Sequence, residues 1–97
     1  MTVRDRKYLN LAREAPCCLQ IACDGSQVVA CHSDMLEDGR GVGHKSHDCL
    51  AVPGCVTCHA LFERGNLGRE EYSRVHARAL KRYLVWAFEN RRLMVAA

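Results

Sequence analysis

Apolar residues recur at helical spacing towards both ends of the chain. The first pattern predicts a short helix over residues 4–14 that ends before Pro16. The second predicts the longest helix of the protein, over residues 69–92. The inward positions are Tyr8, Leu9 and Ala12 in the first helix, and Tyr72, Val75, Ala79, Tyr83 and Trp86 in the second. Residues 93–96 are again apolar and predict a short terminal strand.

Two short apolar runs lie between the predicted helices. Residues 27–32 and 48–52 predict two strands that pair as a hairpin across a polar, glycine-rich loop. A cysteine pair follows the second strand, and a further helix is predicted to begin at His59. This order of elements predicts an α+β fold in a single domain, residues 1–97.

Composition favours a small protein of a reducing compartment. The chain has 97 residues, of which 48% are hydrophobic and 26% charged. No apolar run approaches the roughly 20 residues that span a bilayer, and the first residues lack the apolar core of a secretory signal. We therefore expect a cytoplasmic protein with no membrane partner, in which seven cysteines indicate metal binding rather than disulfides. The net charge of +3 permits nucleic-acid binding without requiring it.

A cysteine pair at residues 55–58 has the two-residue spacing of a zinc knuckle. A second pair on the N-terminal side would complete a tetrahedral site that stabilises a thin hydrophobic core. The predicted ligands of this structural zinc are Cys17, Cys23, Cys55 and Cys58. Cys18 competes with its neighbour for one place, and a site of three cysteines with His59 is a second alternative that the sequence leaves open.

Three further residues lie where a hairpin packed on a helix would bring them together. His32 ends the first predicted strand, Asp48 begins the second, and His59 begins the helix. Asp48 and His59 offer a carboxylate and an imidazole to Mg²⁺ or Mn²⁺, and leave places for water and a phosphate oxygen. An unprotonated His32 would take a proton from the attacking water, a chemistry suited to phosphodiester hydrolysis. From the residues alone, a hydrogen-bonded core pair of His32 and Asp48 explains them equally well.

This order of motifs resembles the HNH endonucleases, the ββα-metal or His-Me finger class. It is most similar to a phage and prophage group of nucleases related to the recombination-enhancement nuclease that cuts DNA together with the RecA filament. The resemblance covers about residues 4–95. The stretches that carry it are Cys31-His32, then Gly41-Val-Gly43-His-Lys45-Ser-His-Asp48, and then Cys55-Val-Thr-Cys58-His59-Ala-Leu-Phe-Glu63.

The resemblance implies a zinc-stapled ββα-metal core and metal-dependent endonuclease activity on DNA, including single strands or recombination intermediates. It implies a bacterial host cell and a recombinase filament as partner. His32 resembles the general base and His59 the final metal-binding histidine, while Asp48 stands where many HNH enzymes have asparagine. Cys31 departs from the pattern, because many HNH enzymes have an Asp or His ligand there, and the Asp48 carboxylate would compensate. Glu63, one turn after His59, is a further ligand or a partner of that histidine.

The remaining polar positions give weaker indications. Candidate contacts with a phosphate backbone are Arg40, Lys45, Arg74, Arg78 and Lys81, although solvated surfaces explain these charges as well. His47 is a lower-ranked alternative to Asp48 as ligand, and His44 and His76 are expected at the surface. The alternative function is a non-catalytic zinc-binding module that binds DNA or a recombination protein.

Overall fold

A computed structural model describes residues 2–41, 44–63 and 66–96 and has an α+β fold. Within these ranges the elements are α1 (Arg6–Leu11), β1 (Val28–Cys31), β2 (Val52–Cys55), α2 (Val56–Glu63) and α3 (Arg69–Glu89), with 3-10 turns at Ala12–Glu14, Leu36–Asp38 and Asp48–Leu50. The predicted α+β class, the N-terminal helix and the long C-terminal helix are confirmed. α2 begins three residues ahead of its predicted start, inside the cysteine pair.

Helix α1 begins at a capping aspartate. The Asp5 side chain accepts a hydrogen bond from the backbone N–H of Tyr8 at 3.0 Å, which satisfies one of the free donors of the first turn. Leu11 and Ala12 are buried, whereas Tyr8 and Leu9 are only half-buried. The helix therefore packs through its last turn and the 3-10 turn that follows it.

Strands β1 and β2 form a two-stranded antiparallel sheet. Its register pairs Val28 with Cys55 and Cys31 with Val52. The predicted second strand, residues 48–52, is therefore wrong for its first four residues, since residues 48–50 form a 3-10 turn and Ala51 follows that turn outside the strand. The apolar run suggested a strand, but long-range hydrogen bonds to the N-terminal segment hold this stretch as a turn.

A close approach of the chain to itself explains the glycine in β2. A Cβ on Gly54 would lie 2.4 Å from Cδ1 of Leu19 and 2.9 Å from Sγ of Cys31. In addition, the N–H of Cys18 donates to the carbonyl of Pro53 at 2.8 Å. The segment that carries the first two predicted zinc ligands is thus pressed directly against the sheet.

Helix α3 packs on the sheet and on α2. The rings of Tyr72 and Phe62 stack with centroids 4.1 Å apart. The buried residues of α3 are Tyr72, His76, Ala79, Tyr83 and Ala87, while Val75 and Trp86 from the predicted stripe are half-buried. The expectation that His76 lies at the surface is wrong: it is 5% exposed, and its Nε2 lies 2.8 Å from the Leu50 carbonyl oxygen.

The predicted terminal strand over residues 93–96 is also wrong. After α3 the chain turns at Arg91, whose φ of 55° lies in the left-handed region, and residues 94–96 have no regular structure. Arg92 forms an ion pair with Glu14, which fixes the end of α3 beside the N-terminal helix. An apolar segment forms a strand only where it pairs with another strand. In the described part of the chain, β1 and β2 pair only with each other, and residues 93–96 pair with neither.

The Gly54→Ala substitution should destabilise the zinc-loaded protein by about 1–3 kcal/mol, because the added methyl overlaps Leu19 and Cys31. Chemical denaturation would measure this. As a control, Leu19→Ala should cost less in the Gly54→Ala background than in the wild type, because it removes one of the overlapping atoms. Additive costs would show that the close approach does not constrain this position.

Candidate metal centre and active site

Four cysteines come together at the point where β2 passes into α2. The sulfur atoms of Cys17, Cys23, Cys55 and Cys58 all lie within 4.8 Å of one another. In a tetrahedral zinc site with Zn–S bonds of about 2.3 Å, the sulfurs are roughly 3.8 Å apart. The Sγ atoms of Cys23 and Cys58 are 3.8 Å apart. The donor set and its spacing therefore fit a structural zinc with the predicted ligands.

Backbone N–H groups surround these sulfurs. The N–H of Cys55 points at Sγ of Cys17 at 3.2 Å, and the N–H of Ala22 points at Sγ of Cys58 at 3.2 Å. The N–H of Cys58 in turn points at Sγ of Cys55 at 3.5 Å. Such donors favour thiolates, which are the form that binds zinc, and they orient the sulfur lone pairs.

The structure distinguishes Cys17 from Cys18. The Cys18 thiol is 2% exposed and its Sγ lies 3.4 Å from the carbonyl oxygen of Pro16, outside the cluster. Burial raises the pKa of Cys18 to about 11, so that it stays a protonated thiol at neutral pH. The site of three cysteines and one histidine is not favoured either, because the ring of His59 faces Glu63 rather than the sulfurs.

His32 and Asp48 form a hydrogen-bonded dyad. Nε2 of His32 lies 2.8 Å from Oδ1 of Asp48, and the carboxylate also accepts from Nη1 of Arg4 at 2.9 Å and from the N–H of Asp5 at 2.7 Å. Burial to 4% exposure would raise the pKa of Asp48, but these hydrogen bonds outweigh it and lower that pKa. Because an ionised carboxylate only accepts, Nε2 carries the proton, and the lone pair of a neutral His32 ring is at Nδ1.

The N-terminal segment holds the loop that carries Asp48. Arg4 donates to the carbonyl oxygens of Ser46 and Lys45, both at 2.6 Å. The N–H of Asp48 donates to the carbonyl of Val3 at 3.0 Å. Since His32 follows β1 directly, the dyad joins the end of the sheet to this fixed loop. Sequence analysis missed Arg4, because its partners lie more than 40 residues away along the chain.

His59 and Glu63 form a second pair, one helical turn apart on α2. Nε2 of His59 lies 2.9 Å from Oε1 of Glu63, and the two side chains are 31% and 43% exposed. Cys58, a predicted zinc ligand, immediately precedes His59. Both members of the pair line an open depression of about 500 Å³ that His32 and Asp34 also line. Because His59 directly follows Cys58, a zinc ion bound by Cys58 would fix the position of His59.

The three predicted site residues, His32, Asp48 and His59, do not converge on one point, and only His32 and Asp48 are in contact. His32 contacts Asp48 and shares a depression with His59, but Asp48 does not line that depression. Its two carboxylate oxygens already accept three hydrogen bonds, and the carboxylate beside His59 is that of Glu63. The role of Asp48 as a cation ligand stays a prediction. The lower-ranked alternative, His47, accepts a hydrogen bond from the N–H of Val3 through Nδ1 at 2.9 Å.

The departure from the expected motif at Cys31 has a structural explanation. Cys31 is fully buried and packs against Gly54, and burial raises the pKa of its thiol, so it is a core residue rather than a substitute ligand. In the glycine-rich stretch, Gly41 makes a bridge with the exposed His44, whereas residues 42–43 lie outside the described part of the chain.

The candidate nucleic-acid contacts fall into two groups. Arg40 and Lys45 line the depression beside His59. Arg74 is paired with Glu71 at 2.8 Å on the surface of α3. Arg78 and Lys81 are exposed on the same helix, and no α3 residue lines the depressions that adjoin His32 in the described structure.

Comparisons of the chain with models of known protein families, with curated proteins and with solved structures return no match. In the described ranges, no helix has both the length and the apolar character that a membrane crossing requires.

The zinc assignment predicts different behaviour for two adjacent cysteines. Cys17→Ser should reduce the zinc content of the purified protein well below one ion per chain and lower the free energy of unfolding by several kcal/mol, since about 10–16 kcal/mol of apparent binding free energy is coupled to folding at such sites. Cys18→Ser should keep its zinc and lose only ~1 kcal/mol. Elemental analysis and denaturation would measure both, with the exposed Cys49→Ser as a neutral control. Loss of zinc in Cys18→Ser but not in Cys17→Ser would contradict the ligand set.

Proposed function

We propose that the protein is a metal-dependent endonuclease that hydrolyses phosphodiester bonds in DNA. The observation that carries this proposal is the position of the His32–Asp48 dyad beside the His59–Glu63 pair, with both histidines on one open depression. Phosphodiester hydrolysis needs a base that activates water and positive charge close to the phosphate. The first pair supplies the base, and the second offers ligands for a cation.

His32 is the general base in this proposal. Its Nδ1 takes a proton from the water that attacks phosphorus, while Nε2–H remains bonded to Asp48. Asp48 fixes the tautomer and orientation of the ring, and its negative charge stabilises the imidazolium that forms. Asp48 is thus a positioning residue, and Arg4 keeps it in place from the other side.

His59 and Glu63 are the cation ligands in this proposal. Their spacing of four residues puts both side chains on one face of α2, with Nε2 of His59 2.9 Å from Oε1 of Glu63. A cation bound there would lie between these two groups. The carboxylate of Asp34 lines the same depression. Mg²⁺ keeps several waters and needs few protein ligands, so this open site suits it. Mg²⁺ or Mn²⁺ would there stabilise the charge on the phosphate and on the departing 3′ oxygen.

The order of elements supports the ββα-metal assignment. β1, β2 and α2 follow one another, with His32 directly after the first strand and His59 within the helix. This agrees with the resemblance to HNH endonucleases, in which the base and the final metal-binding histidine hold these places. The phage setting, the host cytoplasm and the recombinase partner stay predictions.

The His32→Ala variant should cut DNA on the order of 10²–10⁴-fold more slowly at saturating Mn²⁺, because the general base is removed. Zinc content, folding and DNA binding should be unchanged. Asp48→Asn should also slow cleavage, and the double variant should be no slower than His32→Ala alone, since the two residues act as a unit. Nicking of plasmid DNA would measure the rates, and ¹⁵N-resolved NMR should show the Nε2–H tautomer of His32 in the wild type and a changed ring signal in Asp48→Asn.

The negative outcome is equally definite. If the zinc-loaded wild type cuts neither single-stranded, duplex nor branched DNA with Mg²⁺ or Mn²⁺, the endonuclease proposal is rejected in favour of a non-catalytic zinc-binding module. If it cuts DNA and His32→Ala cuts equally fast, the base has been assigned wrongly.

The cation site predicts metal affinities that can be measured without DNA. Glu63→Gln and His59→Ala should each weaken Mn²⁺ binding to the zinc-loaded protein by about 10–100-fold, as for loss of a supporting group at other metal sites. Electron paramagnetic resonance of free Mn²⁺ would measure this. Glu71→Gln is the matched control, because Glu71 is exposed and paired with Arg74 on α3. Equal Mn²⁺ affinities for Glu63→Gln and Glu71→Gln would place the cation elsewhere.

A further inference from the structure

A second concavity, of about 750 Å³, shares Ala30, His32 and Lys45 with the depression that His59 and Glu63 line, which we call the active-site depression. We define the basic trough as the part of it lined by Arg6 and Arg13 on one side and by Lys45 on the other. We propose that the basic trough binds the sugar–phosphate backbone of DNA independently of sequence and leads it to His32. The cations on α3, Arg74, Arg78 and Lys81, do not take part in this binding. This inference rests on the proposed endonuclease function and names the surface that its substrate occupies.

The charge balance of the concavity favours a polyanion. Its cationic side chains are Arg4, Arg6, Arg13 and Lys45, and its carboxylates are Asp5 and Asp48. Both carboxylates are already engaged, because Asp5 caps α1 and Asp48 accepts from Arg4 and His32. Two positive charges therefore remain in excess, in a chain whose net charge is only +3.

The three residues that define the basic trough are free to meet a phosphate. Within the described part of the chain, no carboxylate forms an ion pair with Arg6, Arg13 or Lys45. On α3, Arg74 is paired with Glu71, whereas Arg78 and Lys81 also form no ion pair within the described ranges. These two differ from Arg6 and Arg13 because they line neither concavity that adjoins His32. Arginine and lysine are the side chains that position a nucleic-acid backbone, and such contacts carry no sequence information.

Helix stability does not explain the position of Arg6. The first turn of α1 contains no acidic residue, and Arg6 begins it. A cation at this end of a helix opposes the helix dipole and costs stability. The helix dipole therefore gives neither Arg6 nor Lys7 a stabilising role. Arg6 differs from Lys7 because it lines the concavity beside His32, where it can bind a phosphate.

The basic trough and the active-site depression are continuous. Ala30, His32 and Lys45 line both concavities, so a strand lying in the basic trough passes over β1 and reaches the His59–Glu63 pair. Arg40 lines the active-site depression but not the basic trough, and it is paired with Asp34 at 3.3 Å. The path therefore places His32 between the basic trough and the cation ligands, where the attacking water is required.

The test compares variants of equal charge. Arg6→Ala/Arg13→Ala removes two charges from the basic trough. Lys7→Ala/Arg69→Ala removes two charges outside the basic trough. Lys7 follows Arg6 in the same helical turn but lines a different depression with Glu14. Arg69 is the first residue of α3. The zinc-loaded full chain is titrated without added Mg²⁺ into fluorescein-labelled 20-nucleotide DNA, single-stranded and duplex, at several salt concentrations, and anisotropy is recorded.

Arg6→Ala/Arg13→Ala should bind DNA on the order of tenfold more weakly, and its log–log salt slope should be smaller by about 1.4 for single strands or 1.8 for duplex, as expected for two lost phosphate contacts. Lys7→Ala/Arg69→Ala should stay within about twofold of the wild type. The inference is overturned if the two variants bind alike, or if Arg78→Ala/Lys81→Ala on α3 loses more affinity than the trough variant. It is also overturned if Arg6 and Arg13 are needed for binding phosphatidylserine vesicles but not for binding DNA.

Failure of this inference can be separated from failure of the endonuclease proposal. If DNA binds in the basic trough but no cleavage occurs with Mg²⁺ or Mn²⁺, the trough assignment stands and the enzymatic proposal fails. If cleavage depends on His32 while Arg6→Ala/Arg13→Ala binds and cuts like the wild type, the enzyme stands and the trough assignment fails.

Discussion

The clustering of four thiols is the constraint on which the rest of the molecule depends. The sheet has only four residues in each strand, and a short two-stranded sheet is marginal by itself in water. The cluster connects residues 17–23 to the end of β2 and the first turn of α2, so that one zinc would hold three segments that a thin core could not. Because His59 follows Cys58, the same constraint that stabilises the fold also sets the position of a proposed cation ligand.

A buried carboxylate provides the second connection. Asp48 is 4% exposed, and a buried charge is tolerated only when it is paired and hydrogen-bonded. Its partners come from the N-terminal segment and from the end of β1, namely Arg4, Asp5 and His32. The desolvation of one side chain is thus offset by contacts between parts of the chain that are far apart in sequence. The same contacts hold the His32 ring through Nε2, which gives a defined orientation to Nδ1, the nitrogen that we propose takes the proton.

Local signals made part of this arrangement predictable. The spacing of cysteines identified the thiol cluster, and helical periodicity identified α1 and α3, because both are properties of neighbouring residues. The site was predicted by residue type but not by contact. Asp48 was expected beside His59, whereas it is hydrogen-bonded to Arg4, 44 residues away along the chain. His76 was expected at the surface for the same reason, since its partner, the Leu50 carbonyl, lies 26 residues distant. The second strand was misplaced because hydrogen bonds between Asp48 and the N-terminal segment hold residues 48–50 as a turn, which no local pattern records.

A site that cleaves a polyanion must hold carboxylates without repelling its substrate. At 4 Å, two like charges repel by ~1 kcal/mol in water and by ~4 kcal/mol near a protein surface. An uncompensated carboxylate would therefore weaken the binding of a phosphate group beside it. The charge of Asp48 is compensated by Arg4, and that of Asp34 by Arg40. Glu63 remains for the cation that it would share with His59. In the proposed site, Arg4 and Arg40 therefore offset the charges of Asp48 and Asp34, and a bound cation would offset that of Glu63. The cations of the basic trough would then attract the phosphate backbone.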